Sequence, residues 1–159
     1  MENHYDVLVV GAGISGIGAG YHLQTKCPKK SYAILEGRDT IGGTWDLFRY
    51  PGIRSDSDMY TLGFSFYPWK EKEAIANGPS ILKYLHETSE KFNIKEKIKF
   101  GHYVESASWS TENSLWELKV KSKEQVQKMT CNFIFMCSGY YSYKEGYTPD
   151  FKGIDNFNG

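Results

Sequence analysis

An α/β fold, with a parallel sheet into which an antiparallel β-meander is inserted, is predicted by three features of the sequence. A valine-rich apolar run, Tyr5 to Val10, is bounded by glycine. A glycine-spaced turn then opens a stretch of helical pattern, followed by a second short apolar run, Ser31 to Leu35. Past residue 98, short apolar runs alternate with turn-rich segments, and the helical period disappears.

Each element follows from local chemistry. Tyr5–Val10 is nearly continuously apolar, as a strand buried on both faces of a parallel sheet must be. Ile14–Thr25 carries Ile14, Ile17 and Tyr21 on adjacent turns and ends before Pro28, which cannot continue a helix. With the strand ending at Leu35-Glu36, residues 5–36 spell one βαβ unit, whose crossover is right-handed. Residues 37–70 hold a double glycine, Gly42-Gly43, the turn Tyr50-Pro51-Gly52 and many aromatics without period, and read as a long ordered loop with short helical pieces. Such length in a compact domain points to a ligand against it. Gly78-Pro79 opens a helix over 79–92, with Ile81, Leu82, Leu85, Ser89 and Phe92 on one face, which is expected to pack on the sheet. Strands are expected at Ile98–Phe100, Tyr103–Trp109, Trp116–Val120 and Met129–Cys137. The first three belong to a meander over 98–130; the apolar run 131–137 returns to the parallel sheet. Lys119–Lys128 reads as a solvated hairpin turn.

Composition bounds the function. The 159 residues are enough for one compact domain and too few for two, and 19 Lys plus Arg balance 19 Asp plus Glu, so no net field favours nucleic acid or an anionic membrane. Met1-Glu2-Asn3-His4 runs into the first strand without the basic flank and apolar stretch of a signal peptide, so none is expected; no apolar run reaches membrane-spanning length, and the cytoplasm is the expected location. Cys27, Cys131 and Cys137 have neither CxxC nor metal-ligand spacing. Cys131 and Cys137, six apart, are expected on one face of a strand as buried, reduced small hydrophobes. His4 falls before the first strand and His22, His86 and His102 on separate elements, so no metal site is expected.

The chemistry lies in Gly11-Ala12-Gly13-Ile14-Ser15-Gly16. This GxGxxG follows a strand and opens a helix, and Glu36 ends the next strand twenty residues after Gly16, completing the dinucleotide-binding, Rossmann-like fingerprint. Gly11 permits the tight turn, Gly13 lets a pyrophosphate approach the helix N-terminus, and Gly16 lets the helix lie close on the strand. Glu36 would accept ribose hydroxyls, and its charge disfavours the 2′-phosphate of NADP at this first site. The glycines alone do not separate FAD from NAD; Gly42-Gly43 shortly after the ribose acid is the pattern of flavoproteins of the glutathione-reductase type.

Gly42-Gly43-Thr44-Trp45, Arg49-Tyr50-Pro51-Gly52 and Arg54-Ser55-Asp56 together resemble the class B flavoprotein monooxygenases of the Baeyer-Villiger type. The string TWDLFRYPGIRSDSDMYTLGF is most similar to the subgroup that contains the ethionamide-activating monooxygenase. The resemblance covers the whole chain. It implies that Ser15, Glu36, Thr44, Trp45, Asp46, Leu47 and Asp56 contact FAD, with Val104 at the adenine side through its backbone. Arg54, Ser55 and Asp56 would lie where the nicotinamide of NADPH meets the flavin, with Asp56 the catalytic candidate; an N-cap or turn role is its alternative. Trp45 and Tyr50 are either flavin wall or packing aromatics. Tyr140, Tyr141, Tyr143 and Tyr147 form either a cover over the pyrophosphate or a packed linker. Phe157-Asn158-Gly159 matches the first fixed positions of the family's FxGxxxHxxxW, so the chain is expected to be the N-terminal part of an FAD-binding domain, cut inside that hallmark and without an NADPH domain.

The implied activity of the intact protein is insertion of one oxygen atom of O2 into a ketone, or oxidation of sulfur, through a C4a-peroxyflavin. The fragment is expected to be inactive alone, and a sheet cut in this way exposes edge and core, so the fragment can self-associate. A flavin disulfide reductase shares the glycines but needs a redox CxxC, which is absent. A noncatalytic nucleotide-binding module is the other alternative.

Overall fold

The computed structural model describes residues 3–143 and 145–158. Met1 and Glu2, from the N-terminal reading, and Gly159 of the hallmark match lie outside the described residues. The fold is the expected α/β, Rossmann-like type. Strand β1 (His4–Val10), helix α1 (Ile14–Lys26) and β2 (Tyr32–Leu35) form the βαβ unit. Two one-turn helices follow, α2 (Thr44–Leu47) and α3 (Met59–Leu62), then α4 (Gly78–Lys91). The remaining strands are β3 (Ile98–Lys99), β4 (His102–Ser110), β5 (Leu115–Ser122) and β6 (Gln125–Met136). All six lie in one sheet of order β3-β2-β1-β6-β5-β4.

β6 joins the two halves of the sheet. Its first half pairs antiparallel with β5, from Ser122 opposite Gln125 to Trp116 opposite Cys131. Its second half runs parallel beside β1, from His4 opposite Thr130 to Val10 opposite Met136. The expected break between a meander ending at 130 and a returning strand beginning at 131 is therefore absent: one long strand does both jobs. Two boundaries also move. β3 pairs parallel with β2 and is not part of the meander, and His4 is in β1 rather than before it.

Lys119–Lys128 is a correction too. Only Lys123 and Glu124 separate β5 from β6, with Lys123 at φ +56°, and the rest of the segment is strand. Leu118 and Val120 point into the core while Lys119 and Lys121 face solvent. The period-2 alternation of a half-buried strand thus produced the charge mixture that resembles a loop.

The same alternation splits the core across the sheet. Val7 and Val9 of β1 join Ile17, Ile34, Ile81 and Leu85 on the helical side. Leu8 faces the other way, with Ala33, Leu35, Leu118, Val120, Met129 and Cys131. Cys137 packs against the first cluster and Cys131 belongs to the second, so the two thiols do not share a face; Cys137 lies just past the end of β6, where the pleat no longer sets side-chain direction. Helix α4, capped by Asn77 whose side chain accepts from Ser80 N–H at 2.9 Å, lies beside α1 and α2, and its Ile81 and Leu85 share the core cluster with Val7, Val9 and Ile34 of the sheet. Phe133, Phe135 and Met136 on β6 are exposed.

Candidate functional site

The carboxyl ends of β1 and β2 open onto a cavity of about 480 Å³, and each glycine of the turn above β1 stands there for a different reason. Gly11 has φ +103°, and a Cβ on it would lie 2.6 Å from the Cys137 carbonyl oxygen. A Cβ on Gly16 would lie 1.9 Å from the Gly11 carbonyl oxygen, so contact of α1 with the turn depends on its absence. Gly13, the N-cap of α1, has an ordinary extended backbone (φ −77°, ψ −168°) and makes no side-chain cap. A Cβ there would meet nothing closer than Gly43 Cα at 3.7 Å. Neither backbone nor packing requires glycine at 13; the room belongs to the cavity.

Glu36 stands at the end of β2, buried to 8% exposure. Its Oε2 accepts from Ala12 N–H at 2.8 Å and its Oε1 from Arg38 N–H at 3.0 Å. One backbone donor on each oxygen fixes the carboxylate and leaves a lone pair on each for a ligand hydroxyl. Gly42 N–H donates to Ala12 carbonyl at 3.0 Å, which seats the double glycine against the glycine turn. Gly42 and Gly43 both have positive φ, +116° and +52°, as this close passage needs. The chain then enters α2, carrying Thr44 and Trp45 to the cavity wall.

A second cavity, about 960 Å³, adjoins the first and shares Ile14, Thr44, Trp45 and Tyr143 with it. Arg54 and Asp56 line it opposite Tyr140, Tyr141 and Tyr147. Their segment is clipped to the start of α4: Ser55 N–H donates to Ala76 carbonyl at 2.9 Å, Gly78 N–H to Ile53 carbonyl at 2.9 Å, and Ala76 N–H to Ser55 Oγ at 3.1 Å. Ser55 is therefore turned inward and buried while Arg54 and Asp56 are exposed. The capping aspartate of this stretch is Asp58, whose carboxylate accepts from Thr61 N–H and hydroxyl, both at 2.9 Å; these bonds hold its pKa below the usual value. Asp56 has no such duty. Tyr141 has its pKa raised chiefly by its hydrogen bond with Tyr140, and the Asp56 charge adds to the effect.

Of the residues singled out from the sequence, Gly11, Gly13, Ser15, Glu36, Gly43, Thr44, Trp45 and Val104 line the first cavity, and Thr44, Trp45, Arg54 and Asp56 the second. Gly16 lies behind the wall, and Asp46 and Leu47 line neither cavity. The tyrosine loop lies beside Asp56, with only Tyr143 reaching the first cavity. Sequence reasoning missed Arg38, Tyr103 and the Met136–Gly139 turn at the end of β6, all part of the first wall. The cation between the ribose acid and the double glycine was the available signal for Arg38.

Residues 9–72 match the NAD(P)-binding Rossmann-like domain. The whole chain is 56% identical to the FAD-containing monooxygenase EthA of Mycobacterium tuberculosis, covering 32% of that protein. The relatives of this chain are FAD-containing monooxygenases. A second, the probable FAD-binding monooxygenase AlmA of Acinetobacter baylyi, is 49% identical over all of the chain and 32% of its own length. The chain thus spans about a third of the curated relatives it matches. Among solved structures, an oxidized steroid monooxygenase bound to NADP superposes with TM-score 0.79 at 30% identity, over 96% of this chain and 29% of that one. A closed cyclohexanone monooxygenase superposes with TM-score 0.78 at 28% identity, over 98% and 29%.

Proposed function

We propose that this chain forms the FAD-binding portion of an NADPH-dependent monooxygenase that inserts oxygen into a ketone or oxidises sulfur. The observation that carries the reading is Gly13: a residue with ordinary backbone angles and no packing demand lacks a side chain at the mouth of a cavity, where a Cβ would fill the space a pyrophosphate needs. The rest of the wall fits the same group. The N-terminus of α1, whose first-turn amides have no partner within the helix, borders it through Gly13, Ile14 and Ser15; Glu36 offers two fixed acceptors for ribose hydroxyls, and Thr44 and Trp45 carry the wall into the second cavity.

When bound, FAD supplies the redox chemistry that links nicotinamide oxidation to O2 activation. The chain's own contribution is positional. Glu36 orients the ribose, Trp45 walls the passage between the cavities, and Ser55, spent on Ala76, holds Arg54 and Asp56 toward the second cavity. Asp56 is the catalytic candidate, a carboxylate free to accept a hydrogen bond from a nicotinamide carboxamide. Turnover is assigned to the longer protein.

The test is the visible spectrum of the purified chain after incubation with FAD and desalting. A retained flavin band, shifted from that of free FAD, is the expected result. A colourless chain that ADP also fails to stabilise against urea overturns the reading.

A further inference from the structure

Asp46 is buried to 5% exposure, yet it lines neither cavity, and both of its carboxylate oxygens are taken by guanidinium groups. Oδ1 accepts from Arg49 Nη2 at 2.6 Å, and Oδ2 accepts from Arg38 Nη2. Arg49 also donates Nε–H to the Asp46 carbonyl at 2.8 Å. Two cations on one carboxylate leave one positive charge over. The Arg49 side chain is 70% exposed and turns to solvent; that of Arg38 is 35% exposed and lines the first cavity.

Among the described residues, Arg38 is the only lysine or arginine on that wall. Apart from Asp46, its guanidinium has no acceptor among the described residues, so most of its five N–H groups are free. Its location is set by its partner: a Cβ on Gly42 would be 3.0 Å from Asp46 Cβ, and Gly43 lies against Gly13. Asp46 therefore holds the guanidinium on the side of the double glycine, which itself lies against Gly13. The same wall holds the Glu36 carboxylate, so a diphosphate arriving there meets like charge that backbone amides alone would have to offset.

We propose that Arg38, pinned by Asp46, is the phosphate-binding cation of this cavity and that Asp46 is a positioning residue acting through it. This deepens, and rests on, the dinucleotide reading above. The triad supplies a fixed guanidinium to the bridging diphosphate, whereas the adenosine end is held by neutral contacts and Glu36. Charge-assisted, forked donation of this kind is what arginine provides and lysine only partly replaces.

The experiment is calorimetric titration of the chain with ADP and, separately, with adenosine. Arg38→Gln is expected to weaken ADP about tenfold or more, the size of one charge-assisted hydrogen bond, and to change adenosine less than about twofold. Arg38→Lys should fall between. Asp46→Asn should weaken ADP in the wild-type background and have no further effect in the Arg38→Gln background, because its action passes through Arg38. Adenosine binding reports that each variant is folded. Arg38→Gln that binds ADP within about twofold of wild type overturns the assignment while leaving the dinucleotide reading intact. Equal loss of ADP and adenosine overturns it as well, since it would mark a structural role. A wild-type chain that binds neither ligand overturns both readings.

Discussion

Gly16→Ala and Gly13→Ala, three residues apart in one motif, are expected to fail in opposite ways. At Gly16 the added Cβ would lie 1.9 Å from the Gly11 carbonyl oxygen and 3.0 Å from its carbon. Both are backbone atoms, so α1 must retreat from the turn by about 1 Å to reach a tolerable contact; overpacking of this kind costs about 1–3 kcal/mol. Alanine recovers at most about 1 kcal/mol of helix propensity, leaving a net loss of about 1–2 kcal/mol for so close a backbone contact. At Gly13 the backbone is ordinary and the nearest contact is 3.7 Å. A weaker N-cap and a stiffer unfolded chain nearly cancel, so stability should stay within about 0.5 kcal/mol of wild type. The ligand response reverses the order. ADP at about 100 times its Kd stabilises the wild type by about 2.7 kcal/mol, and Gly13→Ala, with a methyl in the phosphate's place, should gain less than about 1 kcal/mol at the same concentration. Urea unfolding with and without ADP measures both effects. A Gly13→Ala chain with the full ADP response, or a Gly16→Ala chain as stable as wild type, refutes the division of roles.

Two further outcomes concern titration and reactivity. The Asp6 pKa is lowered from 3.8 to about 2 by Ser31 N–H, with Lys30 and the Ser31 hydroxyl adding to it, and these bonds tie β1 to the chain entering β2. A folded pKa below the unfolded one stabilises above pH 3.8 and is lost as pH falls through about 2. Asp6→Asn should therefore flatten the fall of the urea midpoint across that window, and an unchanged slope would remove Asp6 as its source. Burial pushes the Cys137 thiol up to about 11, which leaves it protonated at pH 8, while Cys27 is exposed. Iodoacetamide should label Cys27 first and Cys137 by mass spectrometry only slowly, with ADP slowing it further because Cys137 lines the first cavity. Equal labelling rates would contradict the burial.

The βαβ unit and its glycine fingerprint were legible because their causes are local: a buried parallel strand must be continuously apolar, a turn that meets a helix N-terminus needs glycine, and an acid must end the next strand. Trp45 and Asp56 were found through longer motifs, and the structure places both at cavity walls. The meander was legible in kind but not in extent. Lys119 and Lys121 on the solvent face of β5 look like a loop until Leu118 and Val120 are seen opposite them in the core. That β6 joins the parallel and antiparallel halves of one sheet as a single strand depends on partners more than a hundred residues away in β1, and no local pattern records such pairing.

What the sequence determined by itself is the set of residues whose conformation is dictated by their own backbone and immediate neighbours. Only the tertiary structure decided which of them face the cavity. It turned Ser55 inward and Arg54 and Asp56 outward, gave the capping role to Asp58, and buried Asp46 between two arginines so that Arg38 reaches the wall in its place. The physical reason is that burial and charge pairing are properties of positions in space. Residues 38 and 46 meet because a double glycine folds the chain between them back onto the first turn, and Arg49 reaches Asp46 from three residues further on.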